Sequence, residues 1–174
     1  MAKGLARSLN RGSVAAQAIV KQSLSFEDVA ISVNAAGAAD GAGTAVVAHF
    51  PEGNILFLGA TAYVKFAGPG DSADLEDNWD GSYSMSTAPL ADGEITDDAE
   101  RNIIYTSGFG GADAEVTGLI RGERGGVFVF DNTDASLEIN LNLIVNAAGI
   151  TEDASVDISA SGIVHLAYIV LGDD

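Results

Sequence analysis

Two histidines, His49 and His165, and no cysteine leave little for the commonest kinds of catalysis. Without a thiol, cysteine nucleophiles, Cys-ligated metals and disulfides are all excluded. The histidines fall in separate predicted strands, and no carboxylate stands at a spacing that completes a metal site around either. His165 lies inside the apolar run 163–171, where a neutral, hydrogen-bonded imidazole is expected. Both histidines are read as structural or interfacial. A serine nucleophile would need a Gly-x-Ser-x-Gly elbow or a Ser/His/Asp set, and the sequence proposes neither. Gly108-Phe109-Gly110-Gly111 is followed by Ala112-Asp113, without the Lys-Ser/Thr or third glycine of a phosphate loop, so these glycines are read as turns. No catalytic residue and no cofactor is assigned, and a non-enzymatic protein is expected.

The acidic loop with Asp71, Asp74, Glu76, Asp77 and Asp80 is the one segment whose residue types suit a cation. Glu76-x-Asn78-x-Asp80-Gly81 matches the front half of a calcium loop, with oxygen ligands at alternate positions and glycine at the sharp turn. Thr87 occupies the place of the bidentate acid that should close such a loop. Glu76, Asn78 and Asp80 are therefore weak metal candidates, and a solvated acidic loop is the simpler expectation. Trp79, the single tryptophan, sits among these acids and is expected to pack and anchor the loop rather than face a ligand.

These side chains must be carried by a body whose charge is unevenly spread. The chain has 174 residues, eight Lys and Arg against 25 Asp and Glu, and a formal charge of −17. Residues 1–26 hold Lys3, Arg7, Arg11 and Lys21 and no acid, which makes that segment +4 and leaves −21 on the rest. So acidic a body lacks the Lys and Arg clusters that bind phosphate backbones, so nucleic acid is not an expected partner. No run approaches the roughly 20 apolar residues of a membrane helix, and no membrane association is expected. The apolar stretch 14–20 is too short for a secretory signal and is broken by Gln17. A transit peptide matches in composition alone. The preferred reading is a basic arm, residues 1–26, docking on an acidic surface, ahead of a domain at 27–174. Three Lys against 16 Asp is also the bias of surfaces that stay hydrated at high salt.

From residue 27 onward the apolar period is two. Leu137, Ile139, Leu141, Leu143 and Val145 alternate with Glu138, Asn140, Asn142, Ile144 and Asn146, which predicts one buried face and one wet face. Alternation also marks Val29, Ile31 and Val33, residues 156–160 and residues 163–171. Phe50-Pro51-Glu52-Gly53 is a turn that predicts a hairpin between 45–50 and 55–66. Residues 121–126 and 131–134 predict two more. With 82–87 and 103–107 the count is nine or ten short strands, the pattern of an antiparallel β-sandwich or jelly roll. Residues 34–43 and 68–81 are predicted loops, and the one expected helix lies in the arm at 14–22.

Three stretches carry a resemblance. His49-Phe50-Pro51-Glu52-Gly53-Asn54-Ile55-Leu56-Phe57-Leu58-Gly59-Ala60, then Ser82-Tyr83-Ser84-Met85-Ser86-Thr87-Ala88-Pro89, and finally 161–173 with its Gly172-Asp173 ending resemble small virion structural proteins of tailed phages and related viruses. The likeness is one of layout and covers roughly residues 45–173. It implies an all-β, jelly-roll capsid decoration or cement protein without catalytic residues, found on the virion surface and made in the host cytoplasm. It also implies two partners, the major capsid protein and copies of the chain itself, often as homotrimers. The basic arm lies outside the likeness. From its charge and apolar residues, Lys3, Leu5, Arg7, Leu9, Arg11, Val14, Ile19 and Lys21 are the candidate docking residues, with no small-molecule substrate. The alternatives are a tail, turret or host-recognition module contacting a receptor around Trp79, and a calcium-dependent adhesin-like module using the acidic loop.

Overall fold

The computed structural model describes residues 18–70, 72–110, 117 and 119–172. It is all-β: β1 is Val20–Ala35, β2 Gly41–His49, β3 Asn54–Ala67, β4 Gly81–Ser86, β5 Ile104–Phe109, β6 Ile120–Phe130, β7 Glu138–Val145 and β8 Ser155–Gly172. Two single-turn 3₁₀ segments, Asp98–Arg101 and Ala147–Gly149, are the only helical pieces among the described residues. The strands pair antiparallel in one sheet of order β5-β4-β7-β2-β1-β8-β3-β6. Its middle is its weakest seam, because β1 and β2 meet only at Asn34↔Ala42 and Ala35↔Gly41. The sheet thus has two halves, β1-β8-β3-β6 and β2-β7-β4-β5, and it curls until its ends face each other.

Burial explains the curling. Period-two alternation puts Val156, Ile158, Ala160, Val164, Leu166 and Tyr168 of β8 on one face, and all are buried. Ile55, Phe57, Val64 and Phe66 of β3 join them from one half, and Tyr83, Met85, Leu141 and Leu143 from the other. A flat sheet would leave this apolar face in water, at a cost of about 1.5–3 kcal/mol for each large side chain. The halves meet through rings: Phe66 lies edge-on to Tyr83 at 5.7 Å and stacks on Phe109 at 5.5 Å, and Trp79 caps Phe109 at 5.3 Å. At the closing seam, a Cβ on Gly122 would come 2.5 Å from Ile104 and 2.6 Å from the Tyr83 hydroxyl, so glycine is what lets β6 approach β4 and β5. Burial there pushes the Tyr83 phenol far above its ordinary range.

Several expectations are corrected. Of the described part of the predicted helix, residues 18–22, residues 20–22 are strand and 18–19 have no regular structure, and β1 runs through the boundary drawn near Phe26. Residues 20–26 pair in register with 162–168 of β8, and their burial alternates, which a helix would not allow. The turn at 50–53 exists but makes no hairpin: β2 pairs with β1 and β7, while β3 pairs with β8 and β6. The turn at 131–134 likewise passes the chain from β6 in one half to β7 in the other. Asn132, fully buried, ties these two crossings together. Its Nδ2 donates to the carbonyls of Phe50 (3.2 Å) and Pro51 (2.7 Å), and its Oδ1 accepts from the Leu137 amide (2.7 Å).

Residues 121–126 are no turn at all. They run inside β6, paired to β3 from Tyr63↔Arg121 to Gly59↔Gly125, and the paired glycines are absorbed by a bulge in which Gly126 has φ 146°. Finally, the face of β7 expected to be wet is covered. Asn140, Asn142 and Ile144 are buried under the segment that follows β4. Asn142 Nδ2 donates to Ser86 Oγ (2.8 Å) and to the carbonyls of Glu100 (3.0 Å) and Ala88 (3.3 Å), and its Oδ1 accepts from Thr44 (2.7 Å). Glu100, itself 2 % exposed, accepts from the amides of Ala91 (3.0 Å) and Asp97 (3.2 Å) and so holds the covering segment in shape.

Candidate functional site

The outward face of β1-β8-β3-β6 is built in cross-strand rows, because the register aligns one outward side chain from each strand. Ser23, His165, Thr61 and Glu123 form one row. Lys21, Ala167, Gly59 and Gly125 form the next, and three of its four members have a methyl group or nothing for a side chain. The missing bulk leaves an open groove of about 690 Å³ across the four strands, also lined by Tyr105 and Arg124 from the closing seam. Gly59, at φ 154°, is the point where the β3 register shifts, so the bulge and the groove share one cause.

The charges of this groove are unequal. Lys21 and His165 are exposed along it, and Glu123 is already paired with Arg121. Arg124 is only 6 % exposed. Its guanidinium lies 4.3 Å over the Tyr105 ring and 4.4 Å over the Phe128 ring, donates to the Arg101 carbonyl, and leaves Nε without a partner. Among the described residues no carboxylate is paired with it. Cation–π contact recovers part of the desolvation cost of this charge but does not neutralise it.

His165 Nδ1 and Ser23 Oγ are hydrogen-bonded at 2.8 Å. A serine–histidine pair is the beginning of a nucleophilic site, yet among the described residues no carboxylate orients this imidazole. The pair stands on an exposed strand face whose amides are engaged in the ladder, so no oxyanion donors converge on it. What the arrangement offers is polar and cationic contact over a floor that another backbone can approach closely.

Beyond the groove the same face turns aliphatic. Ile169, Leu56 and Val129 stand side by side in register, and Val127, Leu171 and Ile19 continue the strip. Ile19 is 56 %, Val127 68 % and Val129 61 % exposed.

Of the residues singled out in the sequence, Lys3, Leu5, Arg7, Leu9, Arg11 and Val14 lie outside the described residues. Ile19 and Lys21 stand on the face just described, at the aliphatic strip and in the groove. Glu76 and Asn78 are exposed, and the Asp80 carboxylate accepts from Asn146 Nδ2 at 2.9 Å. Among the described residues no three His, Cys, Asp or Glu side chains converge on a possible metal. Trp79 is fully buried, which removes it as a surface contact. Ser23, Thr61 and Arg124 were not singled out: nothing in the sequence aligns positions 23, 61 and 123, and Arg124 sits in a Gly-rich stretch that reads as a turn. Comparison with known proteins adds nothing further, since no family model, no curated protein and no solved structure matches the chain.

Proposed function

We propose that this protein is a jelly-roll virion component, and more particularly a decoration or cement protein that binds and stabilises a capsid shell without catalysing a reaction. The fold part of the reading is supported by the strand order: halves β1-β8-β3-β6 and β2-β7-β4-β5, with every consecutive pair of strands except β4 and β5 crossing between them, are what a double Greek key generates. That architecture recurs in viral capsid and lectin domains.

The observation that carries the role is the outward face of β1-β8-β3-β6. Four of the seven large hydrophobic residues found exposed, Ile19, Val127, Val129 and Leu171, gather at one end of it. Three of the five described cations, Lys21, Lys65 and Arg121, stand on it as well, in a chain of net charge −17. Lys21 borders the aliphatic strip, while Lys65 and Arg121 stand toward the other end of the face, and a contiguous aliphatic strip with a cation at its edge marks an interaction surface. The mechanism is interface burial: subunits bridged by this protein separate only at the added cost of its contacts. The partners in this reading are the major capsid protein and copies of the chain, the latter as a trimer.

The test is the copy number of the chain on density-purified particles from its source, quantified against the most abundant shell protein. Near-stoichiometric amounts are expected. A handful of copies per particle would move the protein to a tail, turret or host-recognition position, and its absence from particles would end the viral reading.

A further inference from the structure

We propose that the groove across β1, β8, β3 and β6 seats a carboxylate carried by an acidic segment of the partner protein. Three features of the molecule converge on it. Arg124 is buried beside the groove with a charge that no described carboxylate balances and an Nε that nothing accepts from. In so dry a position its field reaches the groove with little screening, and an anion seated there supplies the missing counter-charge. Lys21 on the groove surface adds a second cation.

Around this charge the groove offers polar groups, of which Ser23 Oγ and His165 Nδ1 are hydrogen-bonded to each other. Ser23, Thr61 and His165 present hydroxyl and imidazole groups in one row, and the charge of Glu123, the one carboxylate among the lining residues, is offset in part by its exposed pairing with Arg121. The floor of Gly59, Gly125 and Ala167 lets a backbone lie close to the sheet. A phosphate, with its larger charge, would meet Glu123 as well as the cations, so a singly charged carboxylate fits better. The aliphatic row of Ile169, Leu56 and Val129 is the next row along the same strands, so an extended segment entering the groove with an acidic residue sets apolar neighbours on that strip. This inference depends on the proposed capsid role only for the partner's identity; the chemistry of the groove is independent of it.

The experiment is an amide NMR titration of the full-length protein with a short peptide alternating leucine and glutamate, with a leucine–serine peptide as the control. Saturable shifts of the Gly59, Gly125, His165 and Ala167 amides are expected with the glutamate peptide and not with the serine peptide. Lys21→Glu is expected to weaken binding on the order of tenfold, and Glu123→Gln, which removes the opposing carboxylate, to strengthen it. Both side chains are exposed, so melting temperatures close to that of the unmodified protein confirm that the fold is intact. Absence of saturable shifts, equal shifts from the serine peptide, or an affinity unchanged by Lys21→Glu would overturn the groove as a carboxylate seat. None of these outcomes bears on copy number in particles, so failure here and failure of the capsid role are separate results.

Discussion

Asn142 and Asn140 are two residues apart on the same face of β7, equally hidden from water, yet their energetics differ. Asn142 satisfies donors and acceptors on β2, β4 and the segment after β4 at once, through Thr44, Ser86, Ala88 and Glu100. Asn140 is 2 % exposed and its Nδ2 has no partner. A buried polar group contributes by what it satisfies, and an unpaired one has already incurred its desolvation cost. Asn142→Leu strands several buried groups and is expected to cost about 3 kcal/mol, whereas Asn140→Leu is expected to stay within about 1 kcal/mol of the unmodified protein. Urea titration of the two variants checks this. Equal losses would mean that the covering segment is held by packing and not by this network.

At the scale of elements, β1 does two jobs along its length. Its C-terminal half lies in the middle of the core, with Ile31 and Val33 fully buried. Its first half, from Val20 to Phe26, pairs only with β8, and it covers that strand through Leu24, Phe26 and the hydrogen bond from the Tyr168 hydroxyl to Gln22 Oε1 (2.7 Å). The basic segment as drawn from charge therefore includes a strand of the body. A chain beginning at residue 27 is expected to melt about 10 °C or more below one beginning at residue 18, since the loss of several kcal/mol of burial shifts a domain of this size by roughly that much. Calorimetry on the two truncations decides it, and coincident transitions would return residues 18–26 to the status of an arm. Charge composition missed this strand because its apolar members, Val20, Leu24 and Phe26, are spaced among Lys21, Gln22, Ser23 and Ser25.

What the sequence made legible at this scale was local. Alternation located β7 and β8, and turn chemistry located the bends at 50–53 and 131–134. It could not tell that these bends cross between halves, because a Pro-Glu-Gly turn reads the same whether it closes a hairpin or passes to another layer; the buried Asn132 that clips the two crossings together acts across 81 and 82 residues. The glycines of 121–126 misled for a related reason. The smallness of Gly122 serves a close approach to Tyr83 and Ile104, which only the closed sheet creates, while Gly126 serves the bulge of β6. Of the candidate site, Lys21 and Ile19 were visible as residue types in a basic segment, while the row Ser23, His165, Thr61 and Glu123 exists only through register.

The molecule as a whole carries −17 on a small body, and its described cations are few and grouped. Exposed acids crowd the loops, among them Asp77, Glu94, Asp98, Asp131 and Glu152. Self-repulsion of this kind opposes the compact state and is relieved by screening. The Debye length falls from about 30 Å at 0.01 M salt to about 8 Å at 0.15 M, so most of the relief comes early. The melting temperature is therefore expected to rise by several degrees between these concentrations of sodium chloride and then to flatten. A continued rise towards molar salt would have a different origin, because electrostatic screening is nearly complete by then, and sodium sulfate, which strengthens apolar burial, would exceed chloride in that range. Differential scanning fluorimetry across both salts separates the two contributions. Equal melting temperatures in low and molar salt would mean that the acidic surface serves solubility alone, and that the protein's stability does not depend on a saline setting.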